Sequence, residues 1–467
     1  MKFTLLKSTA AAVLLSSLCA CGTLPETKTE AKPVQKTAAP KKAAKRHAVK
    51  PYELKLTLNK KNGIYKKGDT VVFTITAMKD GKPADGLKMG YYLYPQNGQK
   101  ELFMFTANGA PHQFKTVLNS GYLRIEAAVL DESGKILQYD QKDKKISVAA
   151  AIGAIADPYE IRTGVEEPAD FQKFWDDAKA ELAKVPLKAK REAVSLSPKA
   201  KDKFNAWDVK VDCVGDVPVS GYLTMPVNAA KKSLPAVVSF HGAGVYSANK
   251  PLRENAISFD VNAHGIINGQ KKDFYQNLSR TTLSQYMFLN ADNRDKYYFR
   301  NMFLRVQRAL DYVKSLPEWD GKTLVVWGSS QGGAQSLIAG GLDPQVTLLY
   351  AAVPAMCDHG GCLAGRESGW PRLIKMNDGK PVDPAIASAS RYFDAAYFAK
   401  RIKAECYLTV GLIDNVCVPS SVFAAYNNIP GKKHITVHPN KGHSGEASSR
   451  AFNKRLKQVL TPEKSGK

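Results

Sequence analysis

Long apolar runs are missing from the body of this 467-residue chain. Past the first residues, nothing approaches the roughly 20 apolar positions a helix needs to cross a bilayer. That excludes a helical membrane protein and leaves a globular chain, 44% hydrophobic, with ample material for a core. Acidic residues are scarce beside basic ones, 43 against 67, for a formal charge of +24. Dense basic blocks are scarce too. Beyond KKAAKR at Lys41–Arg46 the lysines and arginines are scattered, so a solvated basic surface accounts for the charge and no nucleic-acid partner is expected. Cysteine is sparse, with seven in all. Cys357, Asp358, His359 and Cys362 cluster, but their spacing matches no standard zinc site. Neither a metal nor a cofactor is expected.

The amino terminus is the exception to the polar body. Met1–Cys21 reads MKFTLLKSTAAAVLLSSLCAC. Lys2 and Lys7 make a positive start, and Ala10–Leu18 make an apolar stretch too short to span a bilayer. Leu18-Cys19-Ala20-Cys21, followed by Gly22, resembles the lipobox of bacterial lipoproteins. The resemblance implies cleavage before Cys21 and acylation of its thiol, so residues 1–21 are expected to be a lipoprotein signal peptide. The mature chain would then be held at a membrane of the bacterial cell envelope by its lipid anchor. Residues 22–50, rich in Lys, Ala, Pro and Thr, cannot bury enough surface to offset chain entropy and read as a flexible basic linker. Cys213, Cys357, Cys362, Cys406 and Cys417 remain. Their number is odd, so at least one is unpaired within the chain, and spacing assigns no disulfide among the others.

Residues 51–150 change character. YELKLTL, TVVFTITAM, MGYYLYP, GYLRIEAAVL and KISVAA are strand-like and punctuated by KNG, KDGKPADG, PQNG and ESG turns. The pattern predicts a small all-β, immunoglobulin-like sandwich. It holds no catalytic constellation and reads as a spacer or an oligomerisation module, which leaves a homo-oligomer open.

Residues 155–467 alternate helix and strand. In PADFQKFWDDAKAELAKV, Phe171, Phe174, Trp175, Ala178 and Leu182 recur at helical spacing, with Asp170 placed to cap. NMFLRVQRALDYVKSL puts Met302, Val306, Ala309, Leu310, Val313 and Leu316 on one helical face. LPAVVSF, TLVVW, ECYLTVG and HITVH read as strands. Such alternation predicts an α/β domain with a mostly parallel sheet.

Between strand TLVVW and helix AQSLIAGGL stands WGSSQGG. G-x-S-x-G between a strand and a helix is a nucleophile elbow. Only one register fits, Gly328-Ser329-Ser330-Gln331-Gly332, because Ser329 would need glycine where Trp327 stands. Ser330 is therefore the candidate nucleophile. A serine hydroxyl needs a base near neutrality and a group to orient that base. His443, in the polar loop NKGHSG after HITVH, is the candidate base. Asp414, in the turn after ECYLTVG, is the candidate orienting acid, and the order Ser, Asp, His is the one α/β-hydrolases use. A developing oxyanion needs backbone donors. Gln331 N–H, just after the nucleophile, is one candidate, and Ala243 N–H in the FHGAG loop is the other. His241 is expected to brace that loop. Trp370 reads equally as a sugar-stacking residue or a core tryptophan.

Over residues 166–445 these motifs resemble the acetyl xylan esterase and cephalosporin-C deacetylase family. The marks are FHGAG, SLPEWDGKTLVVWGSSQGG, YFDAAYFAKRIKAECYLTVGLIDNVCVPSSVFAAYN and PNKGHSG. The resemblance implies an α/β-hydrolase fold, places Ser330, Asp414 and His443 on the family's triad and Gln331 on an oxyanion donor. It also implies deacetylation of short xylo-oligosaccharides and similar small acetylated compounds without a metal. The chain departs from the family at Ser329 and Ala243, which stand in place of glycine and tyrosine. It departs again in DVNAHGIINGQ, with Asn262 and His264, and at Ser444. Two other readings stay open: a surface glycan-binding lipoprotein on an inactive hydrolase fold, and a lipase- or peptidase-like hydrolase.

Overall fold

Alternation builds the first sheets. In strand Asp69–Lys79, Val71, Phe73, Ile75 and Ala77 point inward, and the residues between them are more exposed. The computed structural model describes residues 51–141, 143–444 and 449–461. The leader, Cys21 and the linker at 22–50 lie outside the described residues. Among the described residues no helix is long and apolar enough to cross a membrane.

Strand Asp69–Lys79 sits in a four-stranded sheet between Tyr52–Leu58 and His112–Leu118. A five-stranded sheet contains Asp85–Pro95, Glu101–Asn108, Tyr122–Val129 and Ala149–Ala156. The two pack face to face: Val71, Phe73 and Ile75 of one share a core with Met89, Tyr91, Ile125 and Ala127 of the other. Tyr91 meets Phe114 across the gap at 5.8 Å between ring centroids. This is the all-β sandwich the turn spacing predicts, and its last strand runs on through Ala156.

The remaining chain builds a nine-stranded sheet. Its strands are β1 (Ala189–Ala193), β2 (Phe204–Val211), β3 (Val219–Pro226), β4 (Leu234–Phe240), β5 (Ile257–Asn262), β6 (Trp319–Ser329), β7 (Leu348–Ala352), β8 (Glu405–Gly411) and β9 (Lys433–His438). The order is β1-β2-β3-β5-β4-β6-β7-β8-β9. From β5 through β9 all pairs are parallel, while β1, β2, β3 and β5 pair antiparallel. Parallel strands covered on both faces carry unbroken buried runs, as AVVSF in β4 and LTV in β8 do.

Helices α1 (Phe171–Ala183), α2 (Tyr298–Lys314), α3 (Gln331–Leu342), α4 (Pro419–Asn428) and α5 (Arg450–Leu460) accompany the sheet. In α1 the buried residues are those the periodicity picks out. Asp170 does not cap it: the carboxylate is drawn away by Arg294 at 2.7 Å and the Tyr392 hydroxyl at 2.5 Å. Helix α2 buries far more than one face, because Arg305 and Arg308 are interior as well. Arg308 spends its guanidinium on the carbonyls of Leu182 and Val185, at 2.6 and 2.9 Å, satisfying the open end of α1. The five cysteines in the described residues are all free.

Candidate active site

The elbow is legible as local sterics. Ser330 has φ 58° and ψ −120°, a region a β-carbon makes costly by about 1–3 kcal/mol. It is held there by its N–H on Ala352 O (2.9 Å) and by Ala355 N–H on its carbonyl (3.0 Å). The flanking glycines are demanded by close approach. A β-carbon on Gly332 would fall 2.1 Å from Phe240 O, and one on Gly328 would fall 2.4 Å from the Gly332 carbonyl group. Gly333 makes room for the end of β7, at Ala352 O. The turn thus sets Ser330 at the carboxyl end of β6, where parallel sheets present their sites, with α3 starting at the next residue.

Asp414 lies in the turn after β8, fully buried. Its Oδ1 accepts the N–H groups of Val416 and Cys417 at 2.8 and 2.9 Å. Those bonds leave Oδ2 to accept His443 Nδ1–H at 2.9 Å. With its proton on Nδ1, the ring turns Nε2 toward Ser330 as an acceptor, and the serine hydroxyl donates to it at 2.9 Å. The structure brings all of Ser330, His443 and Asp414 into one hydrogen-bonded relay, although 113 residues separate the serine from the histidine.

The oxyanion candidates come from two places, the start of α3 and the loop after β4. Gln331 begins α3, so its N–H has no partner within the helix, and its side chain is tied back by the Tyr286 hydroxyl at 2.6 Å. Ala243 follows Gly242, whose carbonyl accepts both His241 Nδ1–H (2.7 Å) and the Tyr246 hydroxyl (3.0 Å). A trans peptide points its C=O and N–H in opposite directions, so those donors also set where the Ala243 N–H can point. His241 braces the loop, as expected. Its Nε2 accepts Ala263 N–H at 3.2 Å, and burial pushes its pKa down to about 4, leaving it neutral. A position for a β-carbon on Gly242 is 3.8 Å from both Ser330 Cβ and Tyr246 Oη, which puts the tyrosine hydroxyl beside the elbow.

The departures at DVNAHG supply the rest of the brace. Asn262 Nδ2–H donates to Tyr246 O at 3.0 Å. His264 Nε2–H donates to Gly244 O at 3.0 Å, while its Nδ1 accepts the Tyr298 hydroxyl at 2.7 Å. Burial lowers the His264 pKa to about 3, so this donor–acceptor pattern holds at neutral pH. The functions of Tyr246, Tyr286 and Tyr298 carry no motif; only the oddity of Asn262 and His264 hinted at this loop.

Among the described residues no group of at least three His, Cys, Asp or Glu is arranged to hold a metal. In the loop that clusters cysteine and histidine, Asp358 instead accepts Gly164 N–H and pairs with Arg366, both at 2.6 Å. Trp370 packs against the core, with Phe299 edge-on at 6.3 Å and Tyr286 at 6.5 Å.

Comparison with known proteins converges on one group. The family profile of acetyl xylan esterases matches residues 155–458. Acetyl esterase Axe7A of Xylanibacter ruminicola is 28% identical over 393 residues, covering 82% of this chain and 85% of that protein. The solved acetyl xylan esterase of Paenibacillus sp. R4 is 26% identical, with a TM-score of 0.53, over 65% of this chain and 97% of its own. Acetyl xylan esterase 1 of Thermoanaerobacterium sp. JW/SL YS485 is 27% identical, with a TM-score of 0.54, over 65% of this chain and 96% of its own. These neighbours and the sheet order agree on an α/β-hydrolase fold, which in this chain follows a β-rich segment.

Proposed function

The chain belongs to the acetyl xylan esterase family, a family of carboxylic ester hydrolases, and from that premise we propose that it deacetylates xylo-oligosaccharides and similar small acetylated compounds through an acetyl-enzyme on Ser330. What carries the reading is the relay of two 2.9 Å contacts from Ser330 through His443 to buried Asp414. His443 takes the serine proton as Ser330 Oγ attacks the acetyl carbonyl carbon. Asp414, aimed by the Val416 and Cys417 amides, steadies the imidazolium. The N–H groups of Gln331 and Ala243 stabilise the oxyanion. The sugar alcohol departs with the proton from His443, and water repeats the sequence to release acetate. The same proposal puts the enzyme on a lipid anchor at Cys21, in the cell envelope, where small acetylated carbohydrates reach it.

Acetate release from acetylated xylo-oligosaccharides and from p-nitrophenyl acetate tests the reading. Wild type is expected to act on both, and Ser330→Ala to lose at least about a thousandfold in kcat. Wild-type inactivity on both would favour the glycan-binding reading. Activity confined to long acyl esters would favour the lipase-like one.

A further inference from the structure

The β-sandwich touches the catalytic domain where Asp414 and His443 are carried. Its last strand, Ala149–Ala156, lies against the turns that follow β8 and β9. Gly153 N–H donates to Pro439 O at 2.8 Å. A β-carbon on Gly153 would come within 2.4 Å of Leu412 O and 2.8 Å of its carbonyl carbon. Gly63, whose carbonyl accepts Ile155 N–H at 2.8 Å, approaches the same pair. Its β-carbon position is 2.8 Å from Leu412 Cδ1 and 3.1 Å from Pro439 Cγ. Leu412 is wholly buried, and it precedes Asp414 by two positions. Pro439 precedes His443 by four. The two turns are also stitched together, by Leu412 N–H on His438 O (2.9 Å) and Ile413 N–H on Lys441 O (3.3 Å).

A second line of contact reaches the same place. The Tyr122 hydroxyl donates to Glu367 at 2.7 Å, and Glu367 N–H donates to Gln96 O at 2.7 Å. The other Glu367 oxygen pairs with Arg372 at 2.8 Å. Arg372 also donates to the carbonyl of Asn415, beside Asp414, at 2.7 Å. The solved acetyl xylan esterases are covered over 97% and 96% of their length by 65% of this chain, so about a third of this chain has no counterpart in them.

We propose that the β-sandwich is a positioning element for catalysis: through Gly153 against Leu412 and Pro439, and through Tyr122 and Glu367, it sets the Asp414 and His443 turns at the separation the relay needs. The proposal rests on the catalytic reading of Ser330, Asp414 and His443. Gly153 and Tyr122 do not touch the reacting atoms; they act through the turns. Only glycine lets the strand lie this close, so any β-carbon there must push the Leu412 backbone and alter the Asp414–His443 contact.

The test uses the full chain, with p-nitrophenyl acetate as substrate. The variants are Gly153→Ala, Tyr122→Phe and, as a control for general loss of stability, Val71→Ala in the sandwich core. Kinetics are measured across pH beside thermal unfolding. Gly153→Ala is expected to lower kcat at least about tenfold, since small misplacements of catalytic groups are costly, with KM within about twofold. The acid limb of its kcat–pH profile should also move, because the partner of His443 has shifted. Tyr122→Phe should shift both readings the same way by less, and Val71→Ala should lower the melting temperature alone. Folded Gly153→Ala with wild-type kcat and an unmoved acid limb would overturn the proposal, whatever its melting temperature. So would an equal fall in kcat in Val71→Ala. If Gly153→Ala does not fold, Tyr122→Phe decides by the same readings. Ser330→Ala separates the failures: if it stays inactive while the sandwich variants behave as wild type, the catalytic reading stands and this proposal falls.

Discussion

Tyr246 stands outside the triad and outside every motif, yet its hydroxyl, with the His241 ring, holds the Gly242 carbonyl that orients the Ala243 amide. An oxyanion donor that is lost outright costs about 10²–10³ in rate; one that is only loosened costs less. Tyr246→Phe is therefore expected to lower kcat on p-nitrophenyl acetate by roughly tenfold while KM stays within about twofold. Steady-state kinetics check this, and an unchanged kcat would show that His241 suffices. At this scale the sequence was legible wherever covalent neighbours impose the geometry. Gly328 and Gly332 announce Ser330 because backbone packing there excludes any β-carbon. Asp414 and His443 were legible because they follow strands and keep the required order. Tyr246, Tyr286 and Tyr298 were not, since a tyrosine hydroxyl reads alike in any sequence until the fold chooses its partner. Asp170 misled for a related reason: a capping residue in sequence became, in space, the partner of Arg294 and Tyr392.

Elements were legible in proportion to how far they enforce their own pattern. Strand Tyr52–Leu58 has the limits its alternation suggests. The buried residues of α1 are those of its apolar face. Helix α2 outran its pattern, because the charged Arg305 and Arg308 are interior too, Arg308 through its bonds to the carbonyls of Leu182 and Val185. Strands Glu101–Asn108 and His112–Leu118 went unread in the sandwich, as did β1, β2, β3, β5 and β7 in the large sheet. β1 is AKREA, exposed along its whole length, and it exists because β2 offers it an edge. β3 is buried on both faces and so shows no alternation. β5 and β7 pair with strands well removed in sequence, Ile257 opposite Ala236 and Leu348 opposite Val325 and Glu405, and no short window contains those partners.

At the scale of the molecule, buried histidines couple folding to pH. His241, His264 and His359 are pushed by burial to about 4, 3 and 4, from an ordinary 6.5. Between pH 6.5 and those values the unfolded chain holds protons that the folded one refuses, so their contribution is full above about 6.5 and is lost as pH falls. Asp394, raised to about 7 by burial and by the charge of Asp358, acts in the opposite sense and offsets roughly one histidine. Burial also raises Asp260, which adds to that offset, but the histidines outnumber these carboxyls, so stability falls as the unfolded chain takes up protons. Urea unfolding should show stability dropping from pH 7 to pH 5.5; a flat or rising profile over that interval would contradict it. The whole account returns to one hydroxyl. Rapid acid quenching of wild type with p-nitrophenyl acetate, followed by peptide mass mapping, should find a single acetyl group on the peptide holding Ser330 and none on that peptide in Ser330→Ala. Turnover with no acylated peptide trapped, or an acetyl group on another residue that persists in Ser330→Ala together with turnover, would contradict the claim that this serine is the nucleophile.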